Sequence, residues 1–465
     1  NQTLTAIAGG WAGAGTFTYG TSHLIFNPSS TSNMYVKNDF TFYKLTVNSG
    51  KTAVLHGVGS ATGAIDVLPV HNLAVTGTLN SNQNETINFV NTFISNGGAL
   101  TLGTAATSLA GLYRLKSIHN SGTLSLPAMT TKRITLQPSS GSSTTEASGN
   151  IVLTAAGTTD LQLTSGATFD TDGNNLTTKS ISNAGTLTLG AGSTLTFTDV
   201  SGCGFGSSAG TFNSNGTSGD PNTVTSAAGG LPTNYWDGET TMTVVADYTT
   251  FEKMNKINPG TADIDNCTFQ DNLTSSWIVE LSNAITSFTN NTLTRTESGT
   301  NQYALKSATA HAAFDNIVIT GAVGSSREVQ ANNVKLEFTN SNFDITVVNL
   351  ATSGSVISRN HNDTADLWEI AIGSTQTHSA LTTEPDVDSV VKQRSGIFEI
   401  NEDNKEWTSL NVYSGATVRV TDGNDLFLSA FDLDGSWVRT AGYGGIIHVG
   451  DFTPFDSGVL LDNIE

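Results

Sequence analysis

Basic charge, cysteine, long apolar runs and helical periodicity are all scarce in this sequence, and each scarcity removes a class of protein. Only 20 residues are Lys or Arg against 40 Asp and Glu, a formal net charge of -20. The clustered cations that grip a phosphate backbone are missing, so nucleic acid is not an expected partner. The two cysteines, Cys203 and Cys267, permit one disulfide at most and no disulfide framework. No apolar run approaches the roughly 18 residues of a membrane span, and no basic-then-apolar leader is present, so no membrane span is expected. A chain starting at Asn1 instead of Met fits a trimmed, exported product. Charged residues make up 13%; Gly, Ser, Thr and Asn fill much of the remainder, which suits short strands joined by tight turns.

What the sequence does have is a repeat. An apolar-x-Asn motif returns as Ile264-Asp265-Asn266, Phe288-Thr289-Asn290, Phe314-Asp315-Asn316 and Phe338-Thr339-Asn340, at intervals of 24, 26 and 24 residues. Phe269, Leu293, Ile319 or Phe343 follows each Asn three places on. Such a period, built from β-prone runs, marks a coil that stacks on copies of itself. Strand alternation puts the apolar residue and the Asn on one side. These asparagines are therefore expected inside, hydrogen-bonded between coils because a buried amide must be paired. Earlier in the chain Asn48, Asn72, Asn96 and Asn120 recur every 24 residues, each followed two places on by Gly or Ala. Asn183, in Ile181-Ser182-Asn183-Ala184-Gly185, continues them, and the gap from Asn120 leaves room for two intervening coils.

The expected fold is all-β: a right-handed, single-stranded parallel β-helix of about 24 residues per coil, with terminal caps. Residues 1–35 read as an N-terminal cap or attachment segment, 36–200 as the first half of the helix, and 201–235 as an irregular junction. Residues 236–380 read as the second half, and 381–465 as a C-terminal cap or assembly module with Asp-Gly turns at 422–423 and 434–435. The Ser/Gly/Thr run 138–149 is expected to protrude. Cys203 and Cys267, two to three rungs apart, are expected to be free.

The rungs Ile264 to Phe269 and Phe288 to Leu293, with Asn in the turn, resemble the right-handed β-helix of the pectin-lyase-like superfamily. The resemblance spans about 40–127 and 176–362 and implies the handedness, in keeping with the bias of parallel crossovers. That superfamily includes polysaccharide lyases and hydrolases, viral tailspikes, adhesins and surface-structure proteins. The Thr/Gly style of Gly15 to Leu55 is closest to virion fibres and extracellular surface proteins. The Asn-Thr-Asp, Gly-His-Gly and Arg-Ile-Lys signatures of polygalacturonases are absent.

If the chain were an enzyme of this kind, its carboxylates would be Asp263, Asp265, Asp315 and Glu337, which flank the repeat on the outward face. Asp265 and Asp315 stand two rungs apart, about 9.6 Å, near the upper limit for an inverting glycosidase pair. The bland alternative is solvated surface acids, and it outweighs the catalytic one because fold does not imply activity. His71 and His119, also two rungs apart, are too distant to share a zinc ion. No cofactor is required. A turn-bound Ca2+ would sit at Asp170 and Asp172, or at Asp422 and Asp425, although Asn175 and Ile181 break the EF-hand pattern after Asp170. The sequence thus favours a non-enzymatic structural or receptor-binding protein, a fibre, spike, adhesin or filament subunit. It would stand outside a virion or cell, with copies of itself and a surface glycan or receptor as partners. The alternative is a polysaccharide-degrading β-helix enzyme.

Overall fold

A computed structural model describes strand backbone from Thr3 onward and side chains mainly from 126 to 450. Gaps fall at 155–159, 199–208, 228–240, 254–256, 271–277, 295–303, 322–328, 361–365 and a few single positions, where at most strand backbone is described. The chain divides into two units, Asn1–Met254 and Asn255–Glu465. In both, the chain is essentially all β, with parallel strands stacked as a β-solenoid: about 11 turns in all, at about 23 residues per turn.

In the first unit the coils across 134–226 supply three short strands each. Ile134–Leu136, Ser143–Ala147 and Ile151–Leu153 are followed by Leu161–Leu163, Ala167–Asp170 and Leu176–Thr178. Each strand pairs in parallel with its counterpart one coil on, not with its neighbour in sequence. Buried and half-buried positions alternate along them, because successive side chains face opposite sides of a strand. Stacking places like on like: Phe169, Leu187, Phe212 and Val244 form one buried column, and Leu176, Leu195, Val224 and Phe251 another. Each such side chain contributes about 1.5–3 kcal/mol through the apolar surface it removes from water.

In residues 1–35, expected as an N-terminal cap or attachment segment, Thr3–Ala6 pairs in parallel with His23–Phe26, and that strand with Lys44–Val47. Two other expectations are corrected here. The run 138–149 does not protrude; Ser143, Thr145 and Ala147 of its strand are buried. Nor is 201–235 an irregular junction. It carries strands Gly204–Gly206, Thr211–Asn215 and Asn222–Ser226, with Phe212, Ser214, Asn222 and Val224 fully buried. The inward positions alternate apolar with small polar residues, which hides the strand period from a hydrophobicity reading. The two coils expected between Asn120 and Asn183 are present: Ile134–Leu136 and Leu161–Leu163 lie between Arg114–Ile118 and Ser180–Asn183 in one sheet.

The second unit repeats the plan. Thr261–Asp265, Ala284–Thr289, His311–Asp315 and Lys335–Thr339 stack in parallel. Phe288 meets Phe314 edge to face at 5.8 Å, and Phe314 stacks on Phe338 at 4.6 Å. Asp366–Thr377 then pairs antiparallel with Ser355–His361, the one antiparallel pairing among the described strands. Beyond the reversal the strands stack in parallel again: Ser389–Ile400 spans both Lys405–Val412 and Ala416–Val420, which lie on Asp425–Leu433 and Ser436–Trp437. The Asp-Gly turns there link strands of successive or facing layers and close no hairpin. Gly423 takes a φ of 79°, and a Cβ on Gly435 would lie 2.5 Å from the Ala416 carbonyl oxygen. Trp407 and Trp437 are buried in this core, where their area serves packing and not an interface. No helix among the described residues is long and apolar enough to cross a membrane.

Candidate functional site

The Asn repeat forms the corner between two strands of a coil. Asn266, Asn290, Asn316 and Asn340 have φ of 55°, 54°, 51° and 48°, the left-handed region that Asn enters more readily than other side-chain-bearing residues. A left-handed residue breaks strict alternation, so Asp265 and Asn266 both face outward and Cys267 turns in. Asn290, Asn316 and Asn340 are exposed and Asn266 half-buried, which corrects the expected internal ladder. The asparagines do bond along the stack, but on the surface: Asn316 Nδ2 donates to Asn290 Oδ1 at 3.0 Å, and Asn340 Nδ2 to Asp315 Oδ1 at 3.0 Å.

The interior corner column is one residue later: Cys267, Asn291, Ile317 and Ser341, all buried. Asn291 bridges two coils, donating from Nδ2 to the Ile264 carbonyl at 2.8 Å and accepting the Cys267 N–H at 2.9 Å. Ser341 Oγ accepts the Ile317 N–H at 3.0 Å. Cys267 Sγ donates to the Asp265 carbonyl at 3.1 Å. In the first unit Asn183 is fully buried; its Nδ2 donates to the Thr211 carbonyl at 2.8 Å and its Oδ1 accepts the Gly185 N–H. Asn48, Asn72, Asn96 and Asn120, like Cys203, His71 and His119, lie outside the described residues.

The outward acids stand where the register places them. Asp265, Thr289, Asp315 and Thr339 form one column across four rungs. Their carboxylates knit coils together. Asp265 Oδ1 accepts from Thr289 N–H at 2.7 Å, Thr289 Oγ1 at 2.6 Å and Ser287 Oγ at 2.7 Å. Asp315 Oδ1 accepts from Thr339 Oγ1 at 2.9 Å as well as from Asn340. Glu337 is not an open surface acid: it is buried, paired with Lys335 at 2.5 Å, and accepts the Thr382 N–H at 3.1 Å. Asp263 differs. Burial, reinforced by the neighbouring Asp265 charge, pushes its carboxyl above the usual range.

The turns considered for Ca2+ have protein partners, some within the turn and some from neighbouring coils. Asp170 Oδ1 accepts the Asp172 N–H at 2.9 Å, and Asn174 Nδ2 donates to the carbonyls of Ala147 and Thr171. Asp422 Oδ1 accepts the Gly444 N–H, and Asp425 Oδ2 lies 3.6 Å from His448 Nε2.

A group that the sequence pattern did not single out is His378, Glu384 and Glu402, which offer one ligating atom each, all within 4.8 Å of one another. His378 opens a short 3-10 turn, His378–Ala380. The two glutamates come from the loops on either side of Ser389–Ile400. No local spacing signals this group, because the loops meet only through the coil between them. No protein-family model, curated protein or solved structure matches the chain.

Proposed function

We propose that this chain is a structural or receptor-binding β-solenoid on the exterior of a virion or cell, a fibre, spike, adhesin or filament subunit. Within that reading the coil is right-handed and of the pectin-lyase-like kind. The observation that carries the proposal is the state of the outward carboxylates. Asp265 and Asp315 spend their Oδ1 atoms on hydrogen bonds to neighbouring rungs, and Glu337 is covered and ion-paired. Acids held in this way stiffen a stack and leave little freedom for proton transfer to a substrate. Its partners would be further copies of the chain and a surface glycan or receptor.

A second reading, a polysaccharide-degrading enzyme, is favoured by one feature, the raised pKa of Asp263 beside Asp265, which is how an acid and a base are told apart in a carboxylate pair. Incubating the purified chain with bacterial and algal surface polysaccharides, and measuring released reducing ends, separates the two. The structural reading expects no release, and filaments or defined oligomers in electron micrographs that persist in Asp265→Asn/Asp315→Asn. Cleavage that vanishes in Asp263→Asn or in the double variant would replace it with the enzyme.

A further inference from the structure

We propose that His378, Glu384 and Glu402 form a binding site for a first-row divalent metal ion of the zinc type, whose position between the carboxylates is held by the Lys405 ammonium. His378 is fully buried, yet neither ring nitrogen has a hydrogen-bond partner. A buried polar group without a partner is uncommon and calls for a physical reason. Its Nδ1 faces Glu384 Oε2 at 3.6 Å and Glu402 Oε2 at 3.7 Å. Metal bonds of about 2.0–2.2 Å put neighbouring ligands of a tetrahedral ion about 3.4 Å apart, so small side-chain movements bring the three atoms onto one ion.

The ring is oriented by its surroundings. It stacks on Trp407 at 5.6 Å and lies 6.3 Å from Phe398, which holds Nδ1 toward the two carboxylates. On the other side the glutamates are about one-third exposed, at 33% and 34%, so an ion reaches the site from solvent and water completes its shell. One imidazole nitrogen with two carboxylates is a donor set suited to zinc or manganese; calcium takes oxygen ligands only.

Lys405 is the competitor. Its Nζ donates to Glu384 Oε2 at 2.9 Å and to Glu402 Oε2, which puts a positive charge between the two carboxylates. An incoming ion displaces it, and the lysine stem, 25% exposed, can swing into solvent. Loading would staple the 378–384 loop to the 401–405 turn, which already share the bonds between Ser379 and Asn401.

Calorimetric titration of chelator-treated full-length chain with Zn2+ tests this. The expected result is one zinc per chain, bound at least tenfold more tightly by Lys405→Met and lost in His378→Gln and in Glu402→Gln. Glu402 is at the surface, so its variant keeps the fold when His378→Gln does not, and circular dichroism checks each. The proposal is overturned if zinc binds neither wild type nor Lys405→Met, if it binds only Lys405→Met, or if stoichiometry is unchanged in Glu402→Gln. Unchanged affinity in Lys405→Met would overturn the role given to the lysine, and tighter binding of Ca2+ than Zn2+ the role given to the imidazole.

Discussion

A single residue at the corner of a coil decides which asparagine is structural glue and which is a turn former. Asn291 is buried between rungs and bonded at both ends of its amide, whereas Asn290 beside it is exposed in a left-handed conformation. Replacing Asn291 with Leu should therefore destabilise the fold despite the added hydrophobicity, since the Cys267 N–H and the Ile264 carbonyl lose their partner. A cost of about 1–3 kcal/mol is expected for each buried group left unpaired, and a denaturant midpoint equal to wild type would contradict it. Sequence periodicity located both residues but not their directions, because alternation is broken by a backbone angle that the apolar spacing does not report.

Asp160 supplies a second residue-scale case. It is fully buried, accepts the Lys179 N–H with Oδ2 at 2.9 Å, and leaves Oδ1 without a partner. Burial raises its pKa above 3.8, against the opposing effects of the Lys179 N–H and the Lys179 and Arg133 charges. The folded state then binds the proton more tightly than the unfolded state does. The stabilising contribution is complete below the unfolded pKa and is lost as pH rises through the raised folded value. Asp160→Asn, which removes the charge, should unfold at higher denaturant than wild type at neutral pH, with the advantage shrinking as pH falls toward 3.8. Midpoints measured across that acid range check the sign; an advantage that grows on acidification would refute it.

At the scale of the element, the informative stretch is 201–235. Gly, Ser and Asn gave it the look of a loop, yet Thr211–Asn215 and Asn222–Ser226 are rungs whose polar inward residues bond to one another. Ser214 Oγ and Thr249 Oγ1 lie 2.7 Å apart, and Asn222 Nδ2 donates to Ser214 Oγ at 3.0 Å. Phe212 anchors the column above Leu187. Phe212→Ala should cost about 3–5 kcal/mol, the range for removing a large side chain from a packed core. A change within about 0.5 kcal/mol, as expected of a surface loop, would restore the junction reading. The Asp-Gly turns of the C-terminal coils teach the same lesson. Their chemistry was legible, but a turn does not say whether the strands it joins will pair with each other or with strands a coil away.

For the whole molecule the governing quantity is charge. Acids outnumber bases by 40 to 20, so even complete pairing leaves half of the carboxylates without a cation. Ion pairs such as Arg394 with Glu369 and Lys306 with Glu280 relieve this only locally. Raising the ionic strength from about 0.01 M to about 0.1 M shortens the screening length from about 30 Å to about 10 Å and should raise the melting temperature by weakening self-repulsion. A fall would mean that attractive pairs outweigh the excess charge.

The sequence by itself determined the all-β class, the parallel stacking, the coil length near two dozen residues and the column shared by Asp265 and Asp315. These follow from repetition, because a strand that pairs with its own copy must repeat its inward and outward residues at the coil period. The tertiary structure alone decided which corner residue faces inward, how Glu337 is covered by the segment after His378, and where the chain reverses between His361 and Asp366. It also decided that His378, Glu384 and Glu402 meet. Each of these depends on a corner dihedral or on loops brought together by a full turn of the coil, and neither leaves a period in the sequence.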